Sequence, residues 1–253
     1  MENVMLCKTI KDISEAPSTY IKELKLDGIR SLFVNGRLIN RHQQDITDDF
    51  KEIQINFGGV LDGEIVIFKD DKITTDFNAL QNHKNNNSTA TYVAFDILEY
   101  GKERLADKPL HIRRAYLTKV KSEADKNFIT ILDLPVPSWA EVVAKHLEGL
   151  IIKNPNAPYE FKRSKSWCKL KNWKEVELPI NSFEETKGEK GNAGFVIKVG
   201  DKNQRVAVGG DTDRGTIKAN FGNKKLSAVV QYLERTSAGM FRFPSFKEVK
   251  IYG

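Results

Sequence analysis

A lysine lies between two acidic residues in the segment from Glu23 to Arg30, which reads Glu-Leu-Lys-Leu-Asp-Gly-Ile-Arg. Alternate residues of a β-strand point to the same side, so Glu23, Lys25 and Asp27 are predicted to share one face of a strand that ends at the turn of Asp27 and Gly28. A lysine between carboxylates, with an arginine close by, is a plausible catalytic cluster. Taken alone, the segment favours an exposed strand with ion pairs, because alternating surface charge is common.

The overall charge favours a polyanionic partner. The chain has 253 residues, of which 40% are apolar, with a net charge of +6 and a pI of about 9.1. Residues 162–174 include six basic side chains and no acidic one, together with Trp167 and Trp173. A solvated positive surface accounts for this charge, whereas a phosphate-binding groove accounts for both the charge and the tryptophans.

The two cysteines, Cys7 and Cys168, lie far apart in sequence, so neither a disulfide framework nor a structural zinc site is expected. No apolar run is long enough for a signal peptide or a membrane span. We therefore expect a cytoplasmic or otherwise intracellular protein that has no membrane partner.

Residue patterns predict a mixture of strands and helices up to about residue 174. Asn35 and Gly36 form a hairpin signal, and residues 58–68 and 91–100 are predicted to be buried strands. Residues 111–124 are predicted to form an exposed amphipathic helix. A second helix follows, with a capping box formed by Ser138 and Glu141 and a stop at Gly149. Residues 150–153 are predicted to return as a strand.

The pattern changes after about residue 175. Short alternating segments at 194–200, 204–210, 227–236 and 246–252 are separated by Gly, Asp and Asn turns. This spacing predicts a small all-β domain, in which residues 209–215 form a short loop. We therefore predict an α+β chain that is divided into residues 1–174 and 175–253.

The pattern Lys25-x-Asp27-Gly28-x-Arg30 resembles the KxDGxR signature of covalent nucleotidyltransferases, which include DNA ligases, RNA ligases and mRNA capping enzymes. Six further elements of this superfamily follow in order, at Arg41 and at residues 61–64, 92–96, 148–153, 169–171 and 241–246. The last of them, FRFPSF, resembles the C-terminal segment of DNA ligases. Ordered matches are far more specific than one short motif, and together they resemble a minimal two-domain ATP-dependent DNA ligase.

This resemblance implies a fold and a reaction. Residues 1–174 would form a nucleotidyltransferase (adenylation) domain with antiparallel sheets and flanking helices, and residues 175–253 a small all-β OB-fold domain. Lys25 would attack the α-phosphate of ATP and carry AMP. The AMP would pass to the 5′-phosphate at a nick in double-stranded DNA, and the 3′-hydroxyl would then displace it. A monomer is expected to suffice.

The resemblance also assigns roles to individual residues. The catalytic residue is Lys25, and the nucleotide-binding residues are Glu23, Lys25, Arg30, Arg41, Glu64, Phe95, Glu148, Lys169 and Lys171. The residues expected to hold Mg²⁺, for which Mn²⁺ is expected to substitute, are Glu64 and Glu148. The DNA-binding residues are Arg30, Arg41, Lys162, Arg163, Lys165, Arg242 and Lys247.

Three of these assignments carry physical expectations. Attack requires a neutral amine, so the site is expected to lower the pKa of Lys25 by burial or by nearby positive charge. Phe95 lies in an apolar strand typical of a core, although the resemblance implies that it stacks on adenine. Glu148 is predicted to lie at a helix C-terminus. The helix dipole disfavours an anion there by about 0.3–1 kcal/mol, so its retention indicates another task unless the helix ends earlier and Glu148 points into water.

Alternatives share parts of this pattern. An RNA ligase or a GTP-using capping enzyme would carry out the same first step, and a basic OB-type nucleic-acid binding protein would explain the charge and the β domain. FRFPSF favours DNA ligase over RNA ligase, and a binding protein does not explain the ordered motifs. Many relatives end in an RxDK-like element, whereas this chain ends at residues 247–253 with Lys247 and Lys250 as its nearest substitutes.

Overall fold

The computed structural model describes residues 4–86, 88–121, 127–187, 193–236 and 238–253. The fold divides the chain into two compact units, residues 1–172 and 173–253. The sequence analysis places this division after residue 174. In the described part of the chain, no helix combines the length and the apolar character that crossing a membrane requires.

The described part of the first unit contains ten strands. They are β1 (Leu6–Ile10), β2 (Ile21–Leu24), β3 (Ile29–Val34), β4 (Arg37–Asn40), β5 (Gly59–Val66), β6 (Thr91–Tyr100), β7 (Glu103–Arg104), β8 (Phe128–Thr130), β9 (Gly149–Lys153) and β10 (Arg163–Lys171). Its α-helices are α1 (Phe77–Gln81), α2 (His83–Asn86), α3 (Leu110–Lys121) and α4 (Trp139–Ala144). Short 3-10 turns cover Ile13–Glu15, Thr47–Asp49 and Ile131–Asp133.

These strands form two sheets. One has the order β1-β10-β9-β2, and the other has the order β4-β3-β5-β6-β7 with β8 also paired to β6. An apolar cluster joins the two sheets and includes Leu24, Leu150 and Phe95. A second cluster contains Leu61 and other residues of β5 and β6, together with side chains of α3. The prediction of antiparallel sheets was incomplete, because β1 pairs with β10 and β6 pairs with β8 in parallel.

Local sequence signals determine one turn and the start of one helix. Asn35 and Gly36 both have positive φ, as a two-residue hairpin turn between right-twisted strands requires. The predicted capping box is also confirmed, because the side chains of Ser138 and Glu141 each accept a hydrogen bond from the other residue's backbone N–H. The helix stop, however, was predicted wrongly. Helix α4 ends at Ala144, and Gly149 is the first residue of β9.

The second unit contains one sheet and, among its described residues, one helix. Its elements are β11 (Lys174–Lys187), β12 (Ala193–Val199), β13 (Gln204–Ala207), α5 (Asp211–Asn220), β14 (Lys225–Tyr232) and β15 (Ser245–Tyr252). The sheet order is β13-β12-β11-β14-β15, and all its pairs are antiparallel. Each of the four short segments predicted as strands contains a strand, whereas β11 was not predicted.

Helix α5 corrects the all-β prediction for this unit. The segment at 209–215 is not a short loop, because its last residues begin the helix. Asp211 and Asp213 lie in the first helical turn, where the helix dipole favours negative charge. Ile217 is fully buried against the strands, and this burial stabilises the helix despite its one glycine and many polar residues.

Gly149 illustrates how closely β9 and β10 approach each other. Its φ is +149°, and a Cβ added there would lie 2.0 Å from the carbonyl oxygen of Leu170. Any side chain at this position therefore strains the backbone and pushes the two strands apart.

We predict that Gly149→Ala lowers the free energy of unfolding by roughly 2–4 kcal/mol, as chemical denaturation would measure. The matched control is Gly58→Ala, because a Cβ at Gly58 meets no atom within 4 Å. The control should change stability by less than about 0.5 kcal/mol. Equal stability of the two variants would contradict this account of the strand contact.

Candidate active site

Lys25 lies directly after β2, where strand pairing brings it to the start of β9. Its backbone N–H donates a hydrogen bond to the carbonyl of Gly149 at 3.0 Å. Its Nζ lies 2.6 Å from Oε2 of Glu148, and the two side chains are only 18% and 10% exposed. The residue predicted to be the nucleophile is therefore ion-paired inside the protein and does not point into solvent.

The position of Glu148 differs from both sequence-based interpretations. Helix α4 ends four residues earlier, so the helix dipole does not act on Glu148 as predicted. The carboxylate does not point into water either, because it binds Lys25. Its backbone is held as well, since the N–H of Asn172 donates to the Glu148 carbonyl at 2.9 Å. Burial, partly opposed by Lys25, raises the pKa of Glu148.

The pKa of Lys25 moves in the direction opposite to the prediction. Burial is the largest single influence and lowers the pKa. The negative charges of Glu148, Glu64 and Asp27 together outweigh burial, so the pKa of Lys25 is raised. With the protein's own charges alone, the ammonium form is therefore favoured. Burial or nearby positive charge was expected to lower this pKa, and burial does lower it, but the carboxylates outweigh that effect.

Glu64 is the second carboxylate near Lys25. Burial raises its pKa to about 7, and the positive charges of Lys25 and Arg30 only partly oppose this effect. The turn before β3 comes very close to β5 at this point. A Cβ at Gly28 would lie 2.8 Å from Cγ of Glu64 and 2.2 Å from the carbonyl oxygen of Ile65. The glycine of the KxDG pattern therefore permits the contact between the two segments.

Lys169 and Lys171 lie two residues apart on β10, opposite Ile151 and Gly149 of β9. Both side chains are half-buried. Burial lowers the pKa of each, and the positive charge of Lys25 lowers both further while Glu148 opposes the shift. These interactions bring both lysines into the same electrostatic cluster as Lys25 and Glu148.

Arg30 has a fixed orientation because its guanidinium binds a buried aspartate. Its Nε and Nη2 donate to the two oxygens of Asp62 at 2.6 and 2.5 Å. Asp62 is fully buried and also accepts a hydrogen bond from the hydroxyl of Tyr159 at 2.6 Å. Asp62 lies in the motif at 61–64, in which only Glu64 was assigned a role from the sequence. The missed signal was that this aspartate and Arg30 lie on adjacent strands.

Phe95 is 9% exposed and lies between charged groups. The guanidinium carbon of Arg30 lies 4.5 Å from the ring centroid, and Nζ of Lys153 lies 4.6 Å from it. Trp167 contacts the ring edge-on with a centroid separation of 6.0 Å. The aromatic ring therefore borders the polar cluster as well as the core.

Glu23 is 4% exposed and binds two cations that the sequence analysis did not assign. Lys153 Nζ lies 2.9 Å from Oε2, and Nη2 of Arg114 donates to Oε1. Lys153 ends the motif at 148–153. Arg114 follows Arg113 in α3, which was predicted as an exposed amphipathic helix and has one buried face and one exposed face. Arg113 is fully buried and forms a two-point ion pair with Asp96, so this face of the helix packs on the sheet.

The basic tract at 162–174 divides into exposed and buried parts. Trp167 is 1% exposed and packs edge-on against Tyr159 with centroids 5.6 Å apart. It belongs to the core, so the interpretation of this tryptophan as part of a phosphate-binding groove was wrong. Three predicted DNA-binding side chains of the tract are exposed, namely Lys162, Arg163 and Lys165.

The other predicted residues have contacts of their own. Arg41 is exposed in the loop after β4, and its Nε lies 3.2 Å from Nε2 of His42. In the second unit, Arg242 is ion-paired with Glu234. Lys247 binds Glu175 at 2.6 Å and Lys250 binds Glu177 at 3.0 Å.

The carboxylate pair of Glu64 and Glu148 has the chemistry of a divalent-cation site. In the part of the chain that the structure describes, no three His, Cys, Asp or Glu side chains gather into a metal cage. A Mg²⁺ ion bound to a nucleotide needs only one or two protein carboxylates, because phosphates and waters complete its coordination. The donor set therefore fits a nucleotide-bound Mg²⁺ ion.

Comparison with known proteins identifies the family. A family model described as ATP dependent DNA ligase domain matches residues 4–171. The SPbeta prophage-derived DNA ligase-like protein LigB of Bacillus subtilis is 32% identical over 192 residues, which cover 71% of this chain and 70% of LigB. DNA ligase 1 of Saccharomyces cerevisiae is 32% identical over 205 residues, but the match spans only 27% of that longer protein.

Solved structures with this fold include a Lig E DNA ligase, with a TM-score of 0.71 and 18% identity over 99% of this chain and 100% of that chain. The ligase domain of M. tuberculosis LigD matches with a TM-score of 0.58 and 21% identity, covering 98% and 95% of the two chains. The nucleotidyltransferase fold is therefore shared with ligase domains. Together with the family match over two-thirds of its residues, this establishes that the chain belongs to the ATP-dependent DNA ligases.

Proposed function

We propose that this chain seals nicks between a 5′-phosphate and a 3′-hydroxyl in duplex DNA, as a monomer, through an AMP group carried on Lys25. The observation that carries the proposal is the position of Lys25. Its amine is largely buried, lies 2.6 Å from Glu148, and interacts with the charges of Glu64, Lys169 and Lys171. A buried nucleophile beside both acceptors and cations is suited to phosphoryl chemistry.

In the first step, the lone pair of the Lys25 amine attacks the α-phosphorus of ATP. A P–N bond forms, and the bond to the bridging oxygen of pyrophosphate breaks. The ammonium must first lose a proton. Glu148 lies within hydrogen-bonding distance to accept that proton and pass it to solvent before its carboxylate takes up a cation. Because burial raises the pKa of Glu148, its carboxylate is a better proton acceptor than an exposed glutamate.

Glu64 and Glu148 are the residues that would hold Mg²⁺, or Mn²⁺ in its place. When bound, the cation supplies positive charge that neutralises phosphate oxygens and favours the neutral form of the Lys25 amine. Lys169 and Lys171 add fixed positive charge on the neighbouring strand. Their burial and mutual repulsion favour the arrival of an anion, and the phosphates of ATP are such an anion.

The nucleotide base would stack on Phe95 and contact Glu23, and Arg30 and Arg41 would bind phosphate oxygens. Arg30 already has its guanidinium held by Asp62, so it offers a preorganised group. Arg41 is exposed in its loop and would have to reach the nucleotide or the nick from there. In the second step an oxygen of the 5′-phosphate attacks the AMP phosphorus and Lys25 leaves. In the third step the 3′-hydroxyl displaces AMP.

The second unit is proposed to be an OB-fold that binds duplex DNA. Its five antiparallel strands have the order β13-β12-β11-β14-β15, and α5 lies between the third and fourth strands in sequence. Cα atoms of the two outer strands, β13 and β15, come within 8 Å of each other, which supports a partly closed barrel. Arg242 and Lys247 would contact DNA phosphates after exchanging their glutamate partners, and Lys162, Arg163 and Lys165 would do so from the first unit.

We predict that the chain becomes covalently labelled when incubated with ATP carrying a radioactive α-phosphate and Mg²⁺, and that Lys25→Ala abolishes the label. The labelled protein should transfer AMP to a nicked DNA duplex and seal it. Lys22→Ala, at an exposed residue three positions earlier on β2, should keep full labelling. Persistent label on Lys25→Ala, or a wild-type chain that takes none, would refute the proposed function.

A second prediction concerns Glu64 in protein freed of divalent cations with EDTA. Its pKa rises from 4.5 to about 7 on folding, so the folded state binds this proton more tightly and loses stability as the pH rises across that interval. Glu64→Gln is neutral throughout. The variant should therefore gain about 1–3 kcal/mol over the wild type at pH 8 and gain little at pH 4.5.

Urea denaturation at the two pH values measures this difference. The exposed control Glu103→Gln should change stability by less than about 0.5 kcal/mol at either pH. A Glu64→Gln variant that is less stable than the wild type at pH 8 would show that Lys25 and Arg30 stabilise the charged carboxylate more than burial disfavours it.

A further inference from the structure

Glu23 lies at the centre of a buried ion cluster that also contains Arg114 and Lys153. Each cation binds a different oxygen of the carboxylate, with Lys153 Nζ 2.9 Å from Oε2 and Arg114 Nη2 bonded to Oε1. Glu23 and Lys153 are 4% and 1% exposed, and the Arg114 side chain is 18% exposed. Because the two oxygens are held from separate elements, α3 and β9, the carboxylate cannot rotate without breaking a buried ion pair.

This cluster adjoins the aromatic ring proposed to stack on the base. Lys153 Nζ lies 4.6 Å from the centroid of Phe95 and 4.1 Å from that of Trp167. Lys153 thus links Glu23 to the Phe95 ring through direct contacts. A base stacked on Phe95 would therefore lie close to the Glu23 carboxylate.

Arg114 leaves one of its own donors unmet. Among the described residues, its Nε is the one buried side-chain nitrogen or oxygen without a hydrogen-bond partner. A buried donor without an acceptor is unfavourable, and burial also lowers the pKa of Arg114 to about 10. The bond from Nη2 to Glu23 therefore accounts for the orientation of this guanidinium, although that orientation leaves Nε without an acceptor.

We infer that Arg114 is a positioning residue for nucleotide selection, because it fixes the Glu23 carboxylate as the acceptor for the exocyclic amine of adenine and thereby makes the site prefer ATP to GTP. The inference rests on the proposed function, in which Lys25 is adenylated by a nucleotide whose base stacks on Phe95 and contacts Glu23. It adds a residue of α3 that no sequence motif had indicated.

The selection follows from the two bases. Adenine presents N–H donors at its 6-position, and a fixed carboxylate accepts one of them. Guanine presents a carbonyl oxygen at the same position, which a carboxylate repels. A site built around one hydrogen bond discriminates strongly against an analogue that lacks the matching group, because the buried polar group is then left unpaired.

The ion pairs also restrain the two cations. Arg114 and Lys153 are donors that could bind the carbonyl oxygen of guanine if they were free to turn toward it. While both are bound to Glu23, their donors face the carboxylate. Loss of Arg114 would let the carboxylate rotate toward Lys153, and so would weaken both the attraction for adenine and the rejection of guanine.

The test is single-turnover labelling of the protein with α-labelled ATP or GTP over a range of concentrations. Arg114→Gln should raise the KM for ATP at least tenfold, equivalent to about 1.4 kcal/mol, with a much smaller change in the rate at saturation. The ratio of kcat/KM for ATP over GTP should fall by a similar factor. Arg114→Lys, which keeps one charged donor, should recover part of the loss, and Lys119→Gln, on the exposed side of α3, should leave both values unchanged.

Glu23→Gln and the double variant complete the experiment. If Arg114 acts through Glu23, the double variant should be little worse than Glu23→Gln alone. An unchanged KM and an unchanged ATP to GTP ratio in Arg114→Gln would overturn the inference. An equal loss on both nucleotides, with Arg114→Lys no better than Arg114→Gln, would overturn it too, because that result marks a purely structural role. A wild-type chain that takes no label refutes the proposed function instead, so the two failures are distinct.

Discussion

The ion pair between Lys25 and Glu148 sets the chemical state of the site. The 2.6 Å contact, together with the charges of Glu64 and Asp27, favours the ammonium form of the amine, although burial alone would favour the neutral form. The proposed nucleophilic attack needs the neutral form, so in that reaction the charges around the pair decide when Lys25 can attack. Glu64 contributes further negative charge near Lys25, and Lys169 and Lys171 contribute positive charge. In the proposed reaction, such a site keeps Lys25 in its charged form until a cation bound with the nucleotide adds positive charge.

Several close contacts keep this pair in place. Gly149 and Gly28 allow backbone approaches that any Cβ would block, and they bring Glu148 and Glu64 to the lysine from two different sheets. Buried two-point ion pairs, Arg30 with Asp62 and Arg113 with Asp96, fix the strands and the helix behind them. Such pairs contribute little net stability because of their desolvation, but the loss of one partner would leave a buried charge uncompensated. These close contacts and ion pairs therefore fix the positions of charged side chains that would otherwise repel one another.

The sequence predicted the strands, turns and helix caps more completely than the ion pairs that join them. The hairpin at Asn35 and Gly36, the capping box at Ser138 and four of the five strands of the second unit follow from local patterns, and all of these are found. The end of α4, the presence of α5 and the burial of Trp167 depend on tertiary contacts that no local pattern contains. The roles of Arg114 and Lys153 were missed for the same reason, because their shared partner Glu23 is distant in sequence. The direction of the Lys25 pKa shift required knowing which of several opposing charges lies nearest, and only the folded structure supplies that.

The central claim is that Glu148 holds Lys25 as an ammonium ion. Titration of the Lys25 side chain by NMR, with labelled lysine and no nucleotide or divalent cation, tests it most directly, and Lys25→Arg identifies the signal. The account predicts a pKa above the ordinary lysine value in the wild type and a clear decrease in Glu148→Gln, where burial is less opposed. A wild-type pKa already below the ordinary value, or the same pKa in both proteins, would contradict it.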